Sequence, residues 1–87
     1  PDNTPFEASW ETGNHLFLAI ITANKPLRRC LWKQWGVIEK KEGEEIANGN
    51  SCSISSQVWM TTEPRKFWVR AEAVSGETKE FGDPPPF

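Results

Sequence analysis

The chain has no tyrosine, a single histidine and only two cysteines among its 87 residues. One histidine and no Cys-x-x-Cys leave no zinc-binding pattern. His15 has no serine or cysteine in a nucleophile motif near it, so it reads as structural or solvent-facing. No glycine-rich loop is present to cradle a phosphate. No apolar run approaches the ~20 residues that span a bilayer, so the domain is not expected to be membrane-embedded. Basic residues are not in excess: net charge is −2 and the pI is near 5.4, which gives no general electrostatic reason to bind nucleic acid or an anionic membrane. Asn-x-Ser/Thr acceptors are absent, since Asn3-Thr4 runs into Pro5, and Asn50-Ser51-Cys52 matches only the rare cysteine variant. These absences predict a non-enzymatic domain without cofactor or metal.

What is present is tryptophan. Five Trp and five Phe are more aromatic surface than one small core needs. Trp favours interfaces because it offers a large rigid face with one polar handle. A chain this short is one domain, residues 1–87, and buries only about 60–65% of its unfolded surface. A covalent staple would help such a thin core. Cys30 and Cys52 lie 22 positions apart. Paired, they would stabilise the fold by roughly 3 kcal/mol through loop closure and would imply an oxidising compartment; unpaired, they are two buried thiols.

The pattern along the chain is that of short strands. Residues 1–5 are an irregular lead-in, and the chain reads as a piece of something longer. Phe6, Ala8 and Trp10 alternate with Glu7 and Ser9, the period-2 signature of a half-buried strand. His15 to Ala23 is an apolar, β-branched run that predicts a central strand. Leu27 to Val37 predicts another, with Cys30, Trp32 and Gln34 on one face, Leu31, Lys33 and Trp35 on the other, and Gly36 at its end or at a bulge. Ile38 to Ala47 is highly charged and reads as a solvated hairpin or loop, with one helical turn as the alternative. Asn48-Gly49-Asn50 is a turn, and Ser51 to Ser55 is a strand with Cys52 and Ile54 inward. Gln57 to Lys66 reads as a loop. Phe67 to Val74 is the clearest strand, with Phe67, Val69, Ala71 and Ala73 facing in and Trp68, Arg70 and Glu72 facing out. Ser75-Gly76-Glu77 turns the chain, and Thr78 to Phe81 pairs back as an edge strand. Residues 82–87 hold Pro84, Pro85 and Pro86, which cannot continue a ladder and predict a stiff exit. About seven strands with regular turns predict an all-β antiparallel sandwich.

That order resembles a fibronectin type III or immunoglobulin-like domain. "FEASWE" looks like the second strand with its core Trp, and "FWVRAEAVSG" like the sixth strand and its turn. The run from "SCSISSQVWM" to "FGDPPPF" is similar to the N-terminal domain of a cytokine-receptor homology module. The chain departs from class I receptors where Ala8-Ser9-Trp10 stands for the usual Cys-x-Trp. The Trp-Ser-x-Trp-Ser box, which belongs to the module's second domain, is absent.

The resemblance implies a Cys30–Cys52 disulfide that ties the third-to-fourth-strand region to the fifth strand. It implies the extracellular part of a cell-surface receptor whose partner is a protein ligand, a cytokine or growth factor. Aromatic Trp59 in its loop, flanked by Val58 and Met60, would carry the binding, with Trp35. The exit at Pro84 to Pro86 would hold a following domain of the same chain. Two other functions fit the residues: an adhesion or spacer domain, or a carbohydrate-binding module that stacks sugars on Trp32, Trp35 or Trp68. Trp68 and Arg70, outward on one strand, read as a stabilising ladder.

Overall fold

A computed structural model describes residues 4–12, 18–55 and 66–87. These form seven strands: β1 (Ala8–Thr12), β2 (Leu18–Ala23), β3 (Leu27–Trp35), β4 (Lys40–Ile46), β5 (Ser51–Ser55), β6 (Lys66–Ala73) and β7 (Thr78–Gly82). All pairings are antiparallel. One sheet has the order β1-β2-β5 and the other β4-β3-β6-β7. The two inner faces meet as a sandwich, as expected of alternating strands too short to bury an apolar face alone.

The core follows the alternation. Ala19, Ile21, Cys52 and Ile54 from the smaller sheet meet Leu27, Cys30, Val69 and Ala71 from the larger. Ile21, Ile54 and Val69 are fully buried, each contributing about 1.5–3 kcal/mol by leaving water. Phe6, Ala8 and Trp10 close the core from the β1 side. The Trp10 ring stacks on Phe67 at 5.2 Å and lies tilted at 6.2 Å from Phe81. Cys30 and Cys52 are joined by a disulfide from β3 to β5, with Cα atoms 6.3 Å apart. The staple therefore runs between the two sheets through the centre of the core, and it fits an oxidising compartment.

β4 is where the charged run settles. Of the hairpin and loop readings the structure takes the hairpin: Lys40–Ile46 is a strand paired along its length with β3. Its intrinsic preference is overridden because β3 offers a long open edge. It is itself the sheet edge, and its exposed Lys40, Lys41, Glu42 and Glu44 discourage pairing with another chain. Lys66 likewise belongs to β6, opposite Trp35, and not to the preceding loop. The irregularity in β3 falls between Leu27 and Arg29, while Gly36 simply follows the strand's end.

One end of the sandwich is knitted together. Asn24 accepts from the Glu7 amide and donates to the Pro5 carbonyl, which fixes the lead-in. The Leu27 amide donates to the Gly49 carbonyl, and the Val74 amide to Pro26. Lys25 meets the Glu77 carboxylate at 2.8 Å. That contact and the Ser75 hydroxyl hold Glu77 below its ordinary pKa. The interstrand turns there are thus cross-braced.

Candidate binding end of the sandwich

The opposite end is built differently. Register places the end of β1, the start of β2, the β3–β4 hairpin, the end of β5, the start of β6 and the end of β7 all at this end. Its described apex is the hairpin over 36–39, closed by the Gly36 amide donating to the Glu39 carbonyl at 2.9 Å. Val37 and Ile38 stand at that apex, 99% and 90% exposed. Two adjacent β-branched residues almost wholly in water are the largest apolar exposure among the described residues, and they face away from the core. Lys40 and Lys66, both exposed, pair with Trp35 immediately below the apex.

Val58, Trp59 and Met60 lie outside the described residues. The strand ends that flank them, Ser55 and Lys66, belong to this same end of the sandwich. Trp35 also belongs to it, but is only 8% exposed. Its ring is covered edge-on by Phe87 at 6.2 Å. Trp35 therefore acts as a floor beneath Phe87 and not as an open platform.

Below this end, the outer face of the larger sheet carries a ladder of charge and aromatic rings. The Trp68 indole N–H donates to Glu80 at 2.8 Å. The Arg70 guanidinium lies 5.1 Å from the Trp68 ring, and the Lys33 ammonium 5.8 Å from it. Trp68 is left 6% exposed by these neighbours. Further along, Arg29 donates to Glu72 at 2.8 Å and to Glu44 at 2.6 Å, spanning three strands. The Glu72 hydrogen bond, then the Glu44 one, raises the Arg29 pKa. Trp32 lies on the inner side against the core, so Trp32 and Trp35 do occupy opposite faces. With Trp35 and Trp68 covered, neither offers a free ring face on which a sugar could stack.

Val37 and Ile38 were not singled out by sequence reasoning. The signal was a β-branched pair directly after Gly36, and it was hidden because Val37 was assigned to one segment and Ile38 to the next. Phe87 was missed as well, since a proline-rich exit carries no sign of where it lies. Comparison of the chain with protein-family models, curated proteins and solved structures found no match.

Proposed function

We propose that this domain is an extracellular ligand-binding module of a cell-surface receptor of the cytokine type, and that it grips a protein ligand with the end bearing the β3–β4 hairpin. The observation that carries the reading is the exposed Val37–Ile38 apex, at the same end of the sandwich as Ser55 and Lys66, the strand ends that flank residues 58–60 in the chain. Apolar side chains that protrude from a hairpin tip are suited to fill a partner's pocket, while the surrounding lysines form a polar rim. The inter-sheet disulfide supports an extracellular setting. The strand order supports the fibronectin type III side of the resemblance, with Ala8–Thr12 as the first strand and not the second: β4 pairs with β3, whereas constant-type immunoglobulin sandwiches place the fourth strand in the other sheet. Val58, Trp59 and Met60 are assigned the central anchor, and Trp35 a supporting role.

The test is surface plasmon resonance against a panel of secreted cytokines and growth factors. A specific binder is expected. Its affinity should fall at least about fivefold, or ~1 kcal/mol, in Trp59→Ala and in Val37→Ser/Ile38→Ser, with the fold retained. A binder indifferent to both variants would leave a spacer or adhesion domain as the better reading.

A further inference from the structure

Residues 82–87 lie back across the sandwich. Gly82 ends β7 with φ +90°, a conformation costly for any side chain, and a Cβ there would run into the Phe67 carbonyl. The Asp83 amide then donates to that carbonyl at 2.9 Å, which aims the next residues over the outer face of the larger sheet. Pro85 is half-buried in a cleft of about 600 Å³ lined in part by Leu31, Lys33, Trp68, Arg70 and Glu80. Phe87 stands edge-on to Trp35. The Lys33 and Lys40 ammonium groups lie 4.7 and 5.4 Å from the Phe87 ring. Lys33 also donates to the Phe87 main-chain oxygen. Lys33 is thus held between the rings of Trp68 and Phe87.

We propose that this face is a docking site for extended proline-aromatic segments, with Pro84, Pro85, Pro86 and Phe87 as its resident occupant, exchangeable for such a segment of another protein. The chemistry of the occupant matches the face. Consecutive prolines are already extended, so docking them sacrifices little conformational entropy. They have no N–H to satisfy, so they can lie across a sheet face without a ladder partner. A following aromatic ring gains from two ammonium groups, whose attraction to its face needs no fixed hydrogen-bond geometry. The occupant leaves room: Pro85 borders a cleft that keeps about 600 Å³ open, and Phe87 beyond it is 37% exposed. A contact of this size, tethered in cis, is open to exchange by a longer competitor.

The probe is a synthetic peptide copying residues 82–87, acetylated and amidated. It is titrated into the complete chain and into a chain ending at Asp83, and the indole N–H signals of Trp35 and Trp68 are followed by NMR. The shortened chain should show saturable shifts at both indoles, with an affinity at least about fivefold above the complete chain, whose own tail competes. The peptide carrying Phe87→Ala should give no saturable shift. Two results would overturn the proposal: equal affinity for both chains, or no shift in a shortened chain whose spectrum is still dispersed. If the shortened chain does not fold, the complete chain with Phe87→Ala replaces it. There, a Trp35 signal identical to that of the unsubstituted chain shows that the tail does not dock.

Discussion

The Trp32 indole packs against Gly43 on the neighbouring strand, and the pair explains why a glycine sits in the middle of β4. A Cβ at position 43 would fall 2.6 Å from Cε2 of the indole, well inside contact distance. The indole N–H is buried without a hydrogen-bond partner among the described residues, so packing against the Gly43 backbone holds the ring. Gly43→Ala should therefore destabilise the domain by about 1–3 kcal/mol, although alanine is otherwise the better strand residue. In Trp32→Leu the added methyl has room. Urea unfolding of the four proteins of this cycle should show the alanine's cost fall by more than about 0.5 kcal/mol in the Leu background. Additive costs would mean that the contact does not exclude a side chain.

The disulfide joins β3 to β5 through the core, at a sequence separation of 22. Replacing both cysteines by serine removes the constraint on the unfolded chain and places two hydroxyls where Cys30 and Cys52 are 0% and 1% exposed. The loss should be about 3 kcal/mol or more, a large part of the stability of so small a domain. Thermal unfolding with and without reductant gives the same comparison without mutation. A melting point indifferent to reductant, with the bond shown by mass spectrometry to be cleaved, would refute this account.

How much of this was legible in the sequence depends on how locally each feature is determined. Lys66–Ala73 could be read almost residue by residue, because alternation is a local consequence of one wet and one dry face. The same holds for Ser51–Ser55, for the turn at Gly49 with φ +62° and for that at Gly76 with φ +98°. The Cys30–Cys52 pairing was the state that a thin core favours for two cysteines, and the family resemblance implied the same bond. Lys40–Ile46 was legible as a solvated hairpin or loop; what decides for the hairpin is the β3 edge beside it, which no local pattern reports. The burial of Trp35 and Trp68 was hidden for a related reason. Both face outward, as the alternation requires; Phe87 covers Trp35, and Lys33 and Glu80 from neighbouring strands join Arg70, two residues along β6, in covering Trp68.

The knitted end offers a pH test. Lys25 and Ser75 donate to the Glu77 carboxylate at 2.8 and 2.9 Å and hold its pKa below the ordinary value of 4.5. A depressed acid stabilises the folded state above its ordinary pKa, and that stabilisation is lost as pH falls through the lower folded value. In an NMR titration the Glu77 side chain should therefore turn over below 4.5, and in Lys25→Met its midpoint should rise. Solvent screening makes the stability effect small, so the site-resolved titration is the informative measurement. A midpoint unmoved by Lys25→Met would show that the contact is not populated in solution.

The hairpin apex allows stability and binding to be separated in one variant. Turns at the tip of a hairpin favour Asn, Asp and Gly, whose backbones accept tight-turn conformations, whereas β-branched residues gain nothing there once their side chains are in water. Val37 and Ile38 break that preference at 99% and 90% exposure, with no packing to compensate. A position that violates local preference without a structural return is a candidate for function. Val37→Asn/Ile38→Gly should then leave the melting temperature unchanged or higher, with a free-energy change no worse than about 0.5 kcal/mol. The same variant should bind a ligand found on the cytokine and growth-factor panel at least about fivefold more weakly. Marked destabilisation would mean that the two side chains pack in solution and that their exposure is not an interaction surface. Unchanged stability with unchanged affinity would move the binding site away from the apex and leave the Val58–Met60 segment to carry it alone.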